Sequence, residues 1–244
     1  MPRIPRLSTH TARRRSSHSE TSNLRVLLSG FTPFDGQSLN ASQRVVERLQ
    51  AIGLDGIDLE TVIVPVEGVT GPRRLLAALR RRKPDVLLCL GQDGKATCLR
   101  VERIAINLRD YRMPDNAGAQ VRNQPVSSGG PDAIFATIPV LEIVAAINAV
   151  GVPAAQSLSA GSFLCNEVFY AALRALEGSA TRCGFIHMPW APEQAIGDAA
   201  RSTMAIETSA RGVAAALMSL RDESLAPAGS GPRAKKASRA ERRR

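Results

Sequence analysis

Aromatic residues, histidines, paired cysteines and long apolar runs are all scarce in this 244-residue chain. Aromatics make up 4% of it, so a core has to be built from Leu, Val, Ile and Ala. The four cysteines, Cys89, Cys98, Cys165 and Cys183, include no C-x-x-C pair. Of the three histidines, His10 and His18 fall in an Arg/Ser-rich head, and only His187 lies in a segment with a hydrophobic pattern. That set offers neither zinc-ligand spacing nor a disulfide framework, so no metal or cofactor is expected and the cytosol is the expected compartment. No run of about 18 apolar residues occurs, so no bilayer span is expected. The head lacks an apolar h-region and is not read as a secretory signal. There is no internal repeat and no linker-like stretch.

What the chain has in excess is positive charge, +10 net, which looks like a nucleic-acid signal until it is divided. Residues 1–22 hold five arginines against Glu20, and residues 227–244 hold five arginines and two lysines against Glu241, so residues 23–226 carry no net charge. Segments of this kind bury too little apolar surface to offset chain entropy, so 1–22 and 227–244 are predicted as a disordered head and tail around one domain at 23–226. Their plainer reading is as solubilising extensions. A loose contact with nucleic acid or an anionic surface needs only point charges, and any such binding is expected to reside in these tails. Neither tail interleaves aromatics with its cations, which favours the plainer reading.

Apolar runs alternate with helical periodicity along 23–220. LRVLLSG (24–30), LETVIVPV (59–66), DVLLCLG (85–91), VERIAINL (101–108), 153–158 and 182–187 predict strands. Helices are predicted through VVERLQAI, capped by Asn40 or Ser42, and over 71–82, 139–149, 165–177 and 204–220, with a polar loop from 108 to about 130. Continuous apolar strands between helices predict a single-domain, three-layer α/β/α fold with a mostly parallel twisted sheet. In such sheets reactive groups gather beyond the carboxyl ends of strands, where Phe31, Phe34, Gln92, Cys165 and the region after His187 fall.

Three positions invite chemistry. Cys165 opens a predicted helix after the Gly-containing turn of SAGSFLCN (159–166), where free amides and the helix dipole favour a thiolate and an oxyanion. A lone cysteine there is more often a packed core residue. His187 ends an apolar run in GFIHMPWAPEQ (184–194), a place from which an imidazole faces a rim pocket as general base or caps the surface. Glu102 sits inside an apolar strand, which is costly unless paired, and Arg103 next to it points to the opposite face. An imidazolium at His187 or an arginine on a helix would satisfy it equally well. Together these residues give a Cys–His hydrolase as a working reading. Cys89 and Cys183, inside apolar runs, read as buried strand residues.

The blocks GFTPFDG (30–36), LGQDGKATCLRVERIAINL (90–108), RMPDN (112–116), GGPDAIFATIP (129–139), SAGSFLCN (159–166) and GFIHMPWAPEQ (184–194), in this order, resemble the pyroglutamyl-peptidase I (pyrrolidone-carboxylate peptidase) family of cysteine peptidases. The resemblance spans nearly all of 24–220 and leaves the two tails without counterpart. It implies removal of an N-terminal pyroglutamyl residue from peptides, with Cys165 as nucleophile, His187 as base and acid, and Glu102 as orienting carboxylate. It places Asp115 as a second acid near the imidazole and Arg112 near the oxyanion. Phe31, Phe34, Gln92, Met113, Phe163 and Leu164 would line the substrate pocket, Gln92 offering the lactam both an acceptor and donors. It also implies a homo-oligomer, a dimer or tetramer.

Three positions depart from the family pattern: Lys95 in the GQ loop, Val66 where a small polar residue is common, and Asp35 where glycine is frequent. Two other readings stand beside the peptidase: a cysteine hydrolase of another small acyl substrate, and a catalytically idle binding protein on the same fold.

Overall fold

A computed structural model describes residues 23–198 and 200–225. The head at 1–22 and the tail at 227–244 lie outside the described residues. The elements in chain order are β1 (Leu24–Phe31), α1 (Ala41–Ile52), β2 (Ile57–Val64), α2 (Thr70–Arg82), β3 (Val86–Gln92), β4 (Leu99–Glu102), β5 (Ile104–Ile106), β6 (Ala133–Phe135), α3 (Val140–Ala149), β7 (Ala154–Ser157), α4 (Leu164–Ala175), β8 (Arg182–Met188) and α5 (Ile206–Leu225).

Six strands form one sheet in the order β2-β1-β3-β8-β4-β7. Every neighbouring pair is parallel except β4 and β8, which run antiparallel. Alternate side chains of the central strands feed two cores. Val86, Leu88 and Leu90 of β3 face α1, α3 and α5, whereas Leu87 and Cys89 face α2 and α4. Both sides of β1, β3 and β8 are therefore covered, which explains why their sequences are continuously apolar. Each Leu or Val buried this completely contributes roughly 1.5–3 kcal/mol relative to exposure. No helix among the described residues is long and apolar enough to cross a membrane.

The loop between β1 and α1 is tied down by capping. Asn40, the N-cap, accepts from the Ser42 amide at 3.0 Å, and Ser42 Oγ accepts from the Phe31 amide at 3.0 Å. Of the two residues expected to cap this helix, Asn40 does so, and Ser42 carries the cap back to the strand end.

The strand expected over 101–108 is two strands in two sheets. The Arg103 amide donates to the Ser157 carbonyl at 2.8 Å, while its carbonyl accepts from the Ala136 amide at 2.9 Å. The chain thus leaves the main sheet at Arg103 and pairs, as β5, with β6, a short outer strand that the apolar pattern did not signal. Alternation reports which residues face inward, not which neighbour a strand pairs with.

Candidate active site

The carboxyl ends of β1, β3 and β8 deliver Phe31, Gln92 and His187 to one rim, and the amino end of α4 delivers Cys165. Since β4 is antiparallel to β8, Arg100 stands opposite His187 and Glu102 opposite Phe185. Glu102 therefore reaches His187 on the cross-strand diagonal. The His187 Nδ1–H donates to Glu102 Oε1 at 2.8 Å, with both side chains buried. This leaves Nε2 for the thiol. Burial pushes the His187 pKa down, but Cys165 and Glu102 outweigh it and raise it from 6.5 to about 10.

The place of Cys165 is built by its neighbours. Phe163, the N-cap of α4, has extended backbone and no side-chain cap, so the first-turn amides beside Cys165 are free to face an anion. Asn166 accepts from the Ile106 amide at 2.9 Å and donates to the carbonyls of Ile106 and Leu108 at 2.9 and 3.0 Å, clamping the helix start to β5. Ser162 Oγ donates to the Asp110 carbonyl at 2.8 Å and fixes the preceding turn, in which Gly161 adopts a φ of 80°. Gly91 makes room from below, because a Cβ there would lie 2.7 Å from the Phe185 ring and 3.0 Å from Cys165 Sγ. Cys89 and Cys183 are buried strand residues, as expected, and burial pushes the Cys89 thiol up to about 12 and the Cys183 thiol well up.

A cleft of about 780 Å³ opens beside this set. Phe31, Phe34, Gln92, Val66, Phe163 and Leu164 line it, as do Arg112, Asp35 and Lys95. Phe163 packs 6.3 Å from Phe34 and receives the edge of Tyr111 at 5.0 Å. Tyr111 in turn donates to Glu167 in the first turn of α4, and Arg109 approaches the same carboxylate at 3.7 Å. Burial raises the Glu167 pKa, with Tyr111 and Arg109 partly offsetting it. Asp35 has a φ of 56°, which explains glycine's suitability at that position and how a short acidic residue replaces it.

At three of the expected site positions the structure places the side chain in a particular way. Asp115 is spent on backbone amides, accepting from Gly68 in the loop before α2 at 2.8 Å and from Ala117 and Ala119 of its own loop at 3.0 and 2.9 Å, and it is not bonded to His187. Gln92 Oε1 accepts from the Ala41 amide at 2.8 Å, which commits the acceptor to the start of α1 and leaves the NH₂ group for a ligand. Met113 is half-buried but is not among the cleft-lining residues. The sequence reading also passed over Asn166, Glu167 and Tyr111. A carboxylate inside the apolar run of α4 was a signal of the same kind as Glu102.

A thiol on a helix amino end, an imidazole and a buried carboxylate at the carboxyl edge of an α/β sheet are the parts of a thiol hydrolase. Residues 24–223 match the model of the pyroglutamyl peptidase family. The pyrrolidone-carboxylate peptidase of Erwinia tasmaniensis is 42% identical over 184 residues, covering 75% of this chain and 86% of that protein. That of Gloeobacter violaceus is 41% identical over 202 residues, covering 82% and 98%. The crystal structure of pyroglutamyl peptidase I from Bacillus amyloliquefaciens superimposes with a TM-score of 0.78 at 33% identity, covering 82% of this chain and 95% of that one. The chain belongs to the pyroglutamyl peptidase family of cysteine exopeptidases.

Proposed function

We propose that this enzyme hydrolyses the bond after an N-terminal pyroglutamyl residue, with Cys165, His187 and Glu102 in the roles of nucleophile, proton carrier and orienting carboxylate. The Cys165 thiolate forms a bond to the pyroglutamyl carbonyl carbon, and the oxygen takes the negative charge beside the first-turn amides of α4. The imidazolium gives its Nε2 proton to the leaving nitrogen as the C–N bond breaks. Water, losing a proton to His187 Nε2, then attacks the thioester carbonyl; the C–S bond breaks, pyroglutamic acid leaves and the thiolate facing an imidazolium is restored. Glu102 holds the ring through Nδ1 and stabilises its charge in each step. Pyroglutamate is a flat, uncharged lactam. Phe31, Phe34 and Phe163 suit its faces, and the Gln92 NH₂ group suits its carbonyl.

The observation that carries the reading is the buried 2.8 Å His187–Glu102 pair at the helix start bearing Cys165, beside an aromatic slot. The four cysteines are unpaired, which supports a reducing, cytosolic setting. The test is labelling with limiting iodoacetamide alongside Cys165→Ser, Cys89→Ser and Cys183→Ser variants assayed on a pyroglutamyl anilide. Cys165 is labelled first, and its loss alone abolishes release of the chromophore. Labelling of Cys98 first with turnover intact in Cys165→Ser would overturn the assignment.

A further inference from the structure

Across the sheet, the cleft has two ends. Phe31 ends β1, Phe34 follows it and Gln92 ends β3, so the acyl slot lies over that half. His187, which hands its proton to the leaving amine, is on β8, and the next strand is β4. The leaving peptide therefore extends over β8 and β4, a stretch of cleft lined by Asp93, Gly94, Lys95, Arg100, Trp190, Asp198 and Arg201.

This end is built around one tight turn. The Ala96 amide donates to the Asp93 carbonyl at 3.0 Å, and the Lys95 amide donates to Asp93 Oδ1 at 3.0 Å. The Asp93 amide is tied to the Met188 carbonyl at 3.0 Å, one residue beyond His187. Arg100, opposite His187, holds Asp93 Oδ2 at 2.7 Å and donates to Ser157 Oγ at 3.0 Å. Trp190 braces the turn from its other side, since a Cβ on Gly94 would lie 2.6 Å from its Nε1. Arg201 stacks 3.8 Å over the Trp190 ring and holds Asp198 at 3.1 Å.

The two carboxylates at this end are thus each matched by an arginine. Lys95 is exposed on the braced turn and, among the described residues, has no carboxylate partner. The other charges of the cleft are Asp35 on the loop after β1, and Asp110 and Arg112 on the loop after β5, where Asp110 pairs with Arg122 at 3.4 Å. A leaving peptide meets a surface whose unmatched charge is a cation, held close to the scissile bond by the strand that carries His187.

We propose that the Asp93–Ala96 turn is a leaving-group subsite that favours pyroglutamyl peptides with a carboxylate just beyond the scissile bond. That carboxylate is either an acidic side chain on the second residue or the free C-terminus of a pyroglutamyl dipeptide. The inference rests on the pyroglutamyl reading given above. The subsite is half-open to solvent, so the preference is modest and sensitive to salt.

The test is kcat/KM of the full chain on pyroglutamyl-Glu-Ala-amide, pyroglutamyl-Gln-Ala-amide and pyroglutamyl-Lys-Ala-amide. Pyroglutamyl-alanine is compared with its amide in parallel, to separate the two sources of the carboxylate. Ratios are taken within each protein, so that a general loss of activity cancels. At low salt the Glu peptide is expected to exceed the Gln peptide by about two- to fivefold, the scale of a partly exposed ion pair, with the Lys peptide slowest. The preference shrinks at high salt, disappears in Lys95→Gln and reverses in Lys95→Glu. Equal rates for the three peptides, or a preference unchanged in both variants, would overturn the subsite while leaving the peptidase intact. Hydrolysis of none of them would instead remove the pyroglutamyl reading on which it rests.

Discussion

Glu102 and His187 meet across the one antiparallel pairing of the main sheet. Glu102 lies opposite Phe185 in register, yet its Oε1 accepts the His187 Nδ1–H at 2.8 Å. The pairing leaves the other imidazole nitrogen for Cys165, and does so with two strand residues rather than with loops.

Replacing the carboxylate tests that role. Glu102→Gln keeps the size of the side chain and a hydrogen-bond acceptor but removes the charge that stabilises the imidazolium. The expected loss in kcat is about a hundredfold or more, with KM changed far less, as for other orienting carboxylates. Steady-state kinetics on a pyroglutamyl anilide checks it. A kcat within twofold of the unaltered enzyme would reduce Glu102 to a packing residue.

The pH dependence follows from the same pair. The folded-state pKa of His187 is raised from 6.5 to about 10, so its stabilising contribution is complete below pH 6.5 and is lost as pH rises through about 10. Stability and kcat/KM should both fall on the alkaline side as the imidazolium deprotonates. NMR of the three imidazoles in the full chain should show one that stays protonated at pH 8. Three ordinary titrations between pH 6 and 7 would contradict the coupled site.

Close packing beneath Cys165 gives a third expectation. In Gly91→Ala the new methyl group meets the Phe185 ring at 2.7 Å and Cys165 Sγ at 3.0 Å. The ring must shift, at a cost of about 1–3 kcal/mol in urea denaturation, and kcat should fall with it because Phe185 packs 4.7 Å from the His187 ring. Gly118→Ala, at a loop glycine with a φ of 82° and open space around its Cβ position, costs stability through backbone strain but leaves kcat unchanged.

The sequence alone drew attention to Cys165, His187 and Glu102 by their places, and the resemblance to the peptidase family supplied the roles proposed for them. Cys165 stood at a helix start, His187 at a strand end, and Glu102 as an acid among apolar residues. Their partners were hidden for physical reasons. Strand periodicity carries no neighbour, so the antiparallel β4–β8 pairing and the switch of sheets at Arg103 were invisible. Gln92 matched a ligand contact by type, but only the fold shows that the Ala41 amide already occupies its oxygen. Asp115 showed the same limit, since an acid in a loop rich in glycine and asparagine serves backbone amides as readily as it serves an imidazole. The Asp93–Arg100 pair joins two residues on either side of a tight turn, a proximity without any hydrophobic signature.

The most direct test of the account compares kcat/KM for a pyroglutamyl and a prolyl aminomethylcoumarin on the unaltered enzyme. A prolyl substrate keeps a five-membered ring but brings an ammonium into the aromatic slot and lacks the carbonyl that the Gln92 NH₂ group meets. Groups left unpaired in this way cost a substrate at least roughly a hundredfold, and that ratio in favour of the pyroglutamyl amide is expected here. Comparable values for the two substrates would contradict it, leaving a thiol hydrolase whose acyl specificity lies elsewhere.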